Sequence, residues 1–537
     1  MANFLARRGV VLSVAQQHAR VCRSRAWHFT ENGFSTKRDT TLIAESKPIN
    51  SFLNRRIKTN SCCRTFRTSP ASMREEPWMI SDGEVNAMIS RLEKSGKIDT
   101  GIIDRYETNQ LASNQPMEDR KFVVRLLHQD GGYLFGVMDG HGGNACAHNV
   151  CKRLPDYIAL SLLHRHVLLA HPDLMPKLTD YLTITKNEDH CYNYANDPAC
   201  RNSLNKYFYE LQDMVEAHVE MHGKKVAMLS LSQGRDSENM YSALHEEVVS
   251  NTVRSIREAY IRLDQDIRNE AVKESKSKLP EGSSCHAFDA ANAGACALVA
   301  YIQGTELFLA NAGDCRAVLG VQGEDGCWSA MQLSSDHTAG NPEEVQRILN
   351  QHPPEESTTV IRFERLLGRL APLRAFGDAR FKWDKKTQNK VYSKSSLNPM
   401  SEVEHFYTPP YLTAEPEVMS YQLQRTDKFL VLATDGLWDM LSNEEVVHYV
   451  QEHVCKKVED TSKGVLPQDI TFNEQELPCD LNNAASCLVR EALGGDDHVA
   501  VSTTLSIPYP DVRMYRDDIS VIVVFFNWER MESVDVD

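Results

Sequence analysis

Short apolar runs bounded by polar turns alternate along this chain with stretches of helical spacing. Tyr133–Met138, Phe429–Ala433 and Ile519–Phe525 are nearly continuous apolar stretches of strand length, the pattern of strands covered on both faces. Ala293–Gly320 predicts three more strands, joined by tight turns at Gln303–Gly304 and Asn311–Asp314. Lys121–Leu127 predicts another, entered through the turn that starts at Ser113. Ser81–Lys94 sets Val85, Met88, Ile89 and Leu92 on one helical stripe with Ser81 or Asp82 as cap. Ala145–Leu163 and much of Tyr207–Val272 have helical spacing, with the polar stretch Lys186–Leu204 between them. Asn341 and Pro342 mark a helix start before Leu349, and SNEEVVHYV after Leu441 marks another. Leu366–Leu412 reads as a long basic loop region and Lys456–Asn482 as a surface insertion. No repeat at a 20–50 residue period is visible, so the order predicts mixed sheets with helices outside, in one large domain.

Composition sharpens this picture in two places. With 537 residues and 42% hydrophobic residues the chain can bury a large core, yet no apolar run reaches the roughly 18 residues that span a bilayer. No membrane span is expected. The net charge of -15 is unevenly spread: Met1–Arg74 holds 14 Lys and Arg against three acids, Glu31, Asp39 and Glu45. That leader is rich in Ser, Thr and Arg, and its first residues mix Leu, Val and Arg as an amphipathic presequence does. Residues 1–70 are therefore expected to be a mitochondrial transit segment, with a cleavage neighbourhood at Arg64–Pro70. Charge alone also allows a solvated basic tail or a nucleic-acid arm; no nucleic-acid partner is expected. The 14 cysteines form neither a CxxC pair nor a Cys/His ladder, which argues against zinc and for a reducing compartment.

The candidate chemistry lies where strands meet acids. Asp139, Asp314, Asp435 and Asp517 each adjoin a predicted strand, and Glu118–Asp119 begins a fifth. A single Asp-Gly is more often a hairpin turn. Five acidic strand ends gathered at one edge would repel one another unless cations sat among them. Carboxylate and carbonyl oxygens suit Mg²⁺ or Mn²⁺ rather than zinc. Gly140, without a side chain, lets its carbonyl come close to an ion. Two such ions can activate a water and clamp a phosphoryl group for in-line attack, with His141 placed to protonate the leaving oxygen. GHGGN could instead cradle a phosphate at a helix start, but it has neither GK[ST] nor GxGxxG spacing.

PMEDR, VMDGHGG, NAGDCRAVL, LRAFGD, ATDGLWDML and DDISVIVV occur in this order, and through them roughly Asn109–Asn527 resembles the metal-dependent (type 2C) protein serine/threonine phosphatases. The resemblance implies an αββα sandwich, an α+β fold with two central antiparallel sheets flanked by helices and a binuclear Mg²⁺/Mn²⁺ centre at one end. It implies that Asp139 bridges both ions, that Asp435 and Asp517 hold one, and that the Gly140 carbonyl holds the other. By the same resemblance Glu118 would act through water, Asp119 would support the shell, Asp314 and Asp439 would hold a weaker third ion, and His141 would be the general acid. The resemblance also implies that Asp517 rather than Asp518 is the ligand and that Asp378 in RAFGD is structural, beside a flap. The family usually carries an Arg four residues before Glu118; this chain has Asn114, so another base or the metals must hold the phosphate.

Asn114 together with Leu373–Trp383, Thr408–Val418 and the basic leader resembles the pyruvate dehydrogenase phosphatase branch of that family. This likeness implies phosphoserines of the E1 α subunit as substrate, the mitochondrial matrix as location and docking on the lipoyl domain of the acetyltransferase. It also implies a role for Ca²⁺ in that docking and a regulatory subunit. Residues 71–537 are then one catalytic domain with insertions at about 164–285, 380–410 and 456–482. Two other readings stand beside it: another matrix phosphoprotein, such as a branched-chain dehydrogenase, as substrate, or a non-catalytic binding module. The latter would lack a metal ligand, and none of the expected aspartates is missing.

Overall fold

The computed structural model describes residues 79–98, 101–126, 131–170, 199–211, 237–276, 286–393, 403–462 and 481–532. The basic leader and its cleavage neighbourhood, the stretch 171–198 and most of the 456–482 insertion lie outside the described residues. Ser81–Asp537 forms one compact unit. Its strands are, in chain order, β1 (Lys94–Lys97), β2 (Ile103–Leu111), β3 (Arg120–Arg125), β4 (Tyr133–His141) and β5 (Gly294–Gln303). There follow β6 (Glu306–Ala312), β7 (Arg316–Gln322), β8 (Trp328–Gln332), β9 (Ile361–Arg362) and β10 (Arg365–Leu366). The last are β11 (Phe376–Gly377), β12 (Glu417–Gln422), β13 (Asp427–Ala433) and β14 (Ile519–Phe526). One sheet has the order β1-β2-β14-β13-β7-β8; the other runs β12-β6-β5-β4-β3 with β11 added to β5. Every pairing in both is antiparallel.

The period of two along each strand divides the core. Phe135 and Val137 of β4 face the other sheet, where they join Leu298, Leu319, Leu432 and Ile522 in a core between the sheets. Leu134 and Met138 of the same strand face outward onto helices. The helices are α1 (Asp82–Ile89), α2 (Ala145–Ala170), α3 (Ser237–Glu274), α4 (His286–Asn292), α5 (Pro342–Gln351) and α6 (Lys385–Tyr392). After them come α7 (Asp435–Trp438), α8 (Asn443–Ser462), α9 (Ala484–Leu493) and α10 (His498–Ser506). Helices α2, α3 and α4 cover the outer face of the β5 sheet, while α9 packs on β2 and β14 of its partner. The architecture is the expected α+β sandwich. Among the described residues no helix is long and apolar enough to cross a membrane.

Local expectations are met with instructive differences. Ser81 caps α1 in a reciprocal box with Glu84, and Asn341 caps α5 with Pro342 at its first turn. Of the predicted α1 stripe only Val85 and Ile89 are buried; Met88 lies exposed within the helix, and Leu92 lies exposed in the 3₁₀ turn that follows it from Ser90. Strand β4 does not stop before Asp139: Asp139, Gly140 and His141 continue it, paired with Cys296, Ala295 and Gly294. Asp435, in turn, opens the one-turn helix α7 rather than closing a strand.

Candidate metal centre

Antiparallel pairing brings the carboxylates together. The C-terminal ends of β4, β6 and β13 lie beside the N-terminal ends of β3, β5, β7 and β14, as the registers Met138–Arg120, Ala297–Ala312, Ala433–Arg316 and Val521–Ala433 require. Each sheet therefore offers its acids at one common edge. Asp139 comes from one sheet, Asp435 from the end of the other, and Asp314 from the β6–β7 turn that joins them. Oxygen atoms of these three carboxylates lie within 4.8 Å of one another. Asp517 and Asp439, expected beside them, are outside that group and exposed; Asp314, expected at a peripheral site, is inside it.

The electrostatics of this edge are those of a site built for cations. Burial raises the Asp139 carboxyl well above the usual range, and Asp435, Asp119 and Asp314 add their repulsion. Asp435 is pushed up to about 7 by burial and then by Asp314. Asp119, Asp314 and Glu118 are likewise raised, in each case first by burial. At such separations two carboxylates oppose each other by about 3 kcal/mol at an effective dielectric near 20. An ion of charge +2 reverses that sign. The donor set is all oxygen, with no imidazole or thiolate among the three, which fits Mg²⁺ or Mn²⁺.

The surrounding residues hold this geometry. Thr434 Oγ1 donates to Asp119 at 2.8 Å and accepts from Ser520 N–H at 3.0 Å, tying the start of β3 to β14. Glu118 accepts from Gly143 N–H at 2.6 Å, and the Arg513 guanidinium approaches its other oxygen at 3.9 Å. Gly140 is required sterically: a β-carbon there would lie 2.3 Å from the Glu118 carbonyl oxygen. Asn114 sits in the wall, its side chain donating to Asp517 at 3.3 Å.

His141 Nε2 meets Asp378 Oδ2 at 2.5 Å, and Asp378 is buried in a left-handed conformation with φ 45°. Burial opposes protonation of the imidazole, but the Asp378 and Asp314 carboxylates outweigh it and raise its pKa. Asp378 is thus the partner that orients His141. The pair exists because Gly294 faces it: a β-carbon on Gly294 would fall 2.0 Å from His141 Nε2 and 2.3 Å from Asp378 Oδ2.

Sequence reasoning passed over three contributors. Asp518 accepts N–H groups from Ser113 (2.5 Å), Asn114 (2.7 Å), Glu118 (2.7 Å) and Asp119 (3.4 Å), so it folds the first acidic loop against β14. Its signal was the doubled acid of DDISVIVV. Gly294 and Thr434 leave only the trace of a small residue next to a strand, too common to single out.

Comparison with known proteins agrees with this edge. The protein phosphatase 2C family model matches residues 184–493. A human protein named pyruvate dehydrogenase [acetyl-transferring]-phosphatase 2, mitochondrial, is 35% identical over 496 residues, covering 87% of each chain. A bovine protein named pyruvate dehydrogenase [acetyl-transferring]-phosphatase 1, mitochondrial, is 36% identical over 485 residues and 84% of each chain. A protein phosphatase 2C homolog of Schizosaccharomyces pombe is 31% identical, over 83% of this chain and 86% of its own. The chain belongs to the protein phosphatase 2C family. It is a protein serine/threonine phosphatase, of the kind its pyruvate dehydrogenase phosphatase relatives represent.

Proposed function

We propose that this enzyme removes phosphate from serines of the pyruvate dehydrogenase E1 α subunit in the mitochondrial matrix and so activates the complex. The likeness to relatives named for that reaction across more than four-fifths of the chain supports the substrate. The single observation that carries the chemistry is the group of Asp139, Asp314 and Asp435 at the edge shared by both sheets. In this reading these three hold the ions with Asp517, Asp439 and the Gly140 carbonyl at the margin, Glu118 reaches them through water, and Asp119 fixes the shell. Mg²⁺ or Mn²⁺ bound there supplies a Lewis acid that activates water and neutralises the phosphoryl oxygens. His141, its Nε2 held by Asp378, keeps Nδ1 for the leaving serine oxygen and protonates it there. Arg513, the guanidinium at the Glu118 rim, draws in the phosphate that Asn114 cannot pair with.

Residues 1–70 serve in this reading as the transit segment and 71–537 as the catalytic domain. Docking on the lipoyl domain of the acetyltransferase with Ca²⁺, and a regulatory subunit, belong to the same proposal. The test is phosphate release from phosphorylated E1 with Mg²⁺, with chelator and with Asp139→Asn. Release that needs both Mg²⁺ and Asp139 supports the reading; metal-dependent release from an unrelated phosphoprotein but not from E1 removes the substrate and keeps the chemistry.

A further inference from the structure

Eight cysteines lie among the described residues: five are buried, Cys327 and Cys455 are exposed, and Cys487 lies between these extremes. A thiol in an apolar interior is inert, whereas one beside a base can lose its proton and become a nucleophile. Cys487 is beside a base. It stands on α9, and its Sγ meets Nδ1 of buried His453, on α8, at 3.4 Å. Nε2 of the same imidazole faces Oε2 of Glu107, on β2, at 3.7 Å. A thiol, an imidazole and a carboxylate thus stand in a row, contributed by three elements far apart in sequence.

The row is held from outside. Glu107 is buried; its Oε2 accepts from Ala484 N–H at 2.6 Å and its Oε1 accepts from Arg105 Nε at 3.1 Å. Asn109, two residues further along the same strand face, donates to Ser486 Oγ at 2.9 Å. The first turn of α9 is therefore pinned to β2 just before Cys487. Where β2 pairs with β14, Glu107 is opposite Val523 and Leu111 is opposite Ile519, beside the acidic edge. The row lies four strand residues, about 13 Å, from that edge and is separate from the metal centre.

The protons follow from this geometry. A carboxylate facing Nε2 keeps a hydrogen on that nitrogen, which leaves Nδ1 as an acceptor. The one thiol hydrogen then has two acceptors, Nδ1 and the Leu481 carbonyl, each at 3.4 Å. A carbonyl can only share it; an imidazole can take it. Once protonated, His453 carries its charge between a thiolate and the Glu107 carboxylate, and both stabilise it. A base oriented by a third group is what activates a nucleophile. The phosphatase chemistry uses none of these three residues.

We propose that Cys487 is a modification site that takes small disulfides by thiol–disulfide exchange. His453 takes the Cys487 proton, and the thiolate attacks one sulfur of the incoming disulfide. A new S–S bond to Cys487 forms as the incoming S–S bond breaks; Cys487 is oxidised and the departing half is reduced. That half leaves as a thiol, with the proton that His453 held. A disulfide fits because its departing thiolate needs a proton, and the same imidazole returns it.

The test incubates the full chain with glutathione disulfide and follows each cysteine-containing peptide by mass spectrometry. Cys487 is expected to gain the glutathionyl group about tenfold faster than Cys327 and Cys455, although both are more exposed. His453→Gln should bring its rate down to theirs, and the lead of Cys487 should vanish in urea. A Cys487 that reacts no faster than the exposed pair overturns the proposal, and that comparison needs no variant to fold. So does a lead that persists in urea, which local sequence alone would explain. A rate in folded His453→Gln within about twofold of the parent's overturns it as well.

Discussion

Gly294 shows how a single missing atom can set a site. It stands opposite His141 in the β4–β5 register, and the space its side chain leaves is where the imidazole meets Asp378. Gly294→Ala is therefore expected to part that pair while leaving the carboxylate group in place. Loss of an oriented general acid costs about 100-fold, and the loss should appear on phosphoserine substrates. It should be much smaller on p-nitrophenyl phosphate, whose leaving group departs without a proton. Equal losses on both in a steady-state assay would mean that His141 does something other than protonate the leaving oxygen. Asp518 acts at the same scale by another route, holding four backbone N–H groups of the Ser113–Asp119 loop and so aiming Glu118 and Asp119.

At the scale of elements, helix α5 anchors the segment that carries the β9–β10 hairpin and Asp378. Its buried Glu344 is gripped by Arg374 through both oxygens at 2.8 Å and by Arg347. Burial alone would raise the Glu344 carboxyl, but the hydrogen bonds from the two guanidiniums prevail and hold it down at about 2. A carboxylate depressed in the folded state stabilises above its unfolded pKa, and the contribution is lost as pH falls through the folded value. Full stabilisation is thus expected at pH 6–7, declining below about 4.5 toward 2 and amounting to about 2–3 kcal/mol. Urea unfolding of Glu344→Gln against the parent should show that gap at pH 7 and a narrower one at pH 3.5. A gap independent of pH would place the effect in packing rather than charge.

For the whole molecule, the carboxylates do for the two sheets what a staple does. Asp139 belongs to one, Asp435 follows a strand of the other, and without cations their mutual repulsion works against the sandwich. Mg²⁺ at 100 times its dissociation constant is expected to add about 2.7 kcal/mol, read as a higher melting temperature that chelator reverses. Asp139→Asn should melt higher than the parent in chelator, because a buried charge is gone, yet respond weakly to Mg²⁺. A parent that melts alike with and without Mg²⁺ would remove the cation reading of this edge.

Much of this was legible in order along the chain. Apolar runs of strand length, the caps at Ser81 and Asn341, and acids beside strands are local signals, set by side-chain period and by capping chemistry. They determined mixed sheets with helices outside, the position of most elements and the candidate acids Glu118, Asp119, Asp139, Asp314, Asp435 and Asp517; the α+β sandwich and Asp439 came from the family resemblance of the ordered motifs. Strand β2 and helix α9 went unseen because polar residues interrupt their patterns, and partners such as Asn109 and Ser486 meet only across 377 positions of sequence. What only the tertiary structure decided was which acids meet. Asp314 joined Asp139 and Asp435 while Asp517 stayed at the rim, and Asp378, at the head of a 3₁₀ turn, met His141. Spacing along a chain fixes which face or end a residue occupies; distance between ends of different strands comes only from the register and packing of the two sheets.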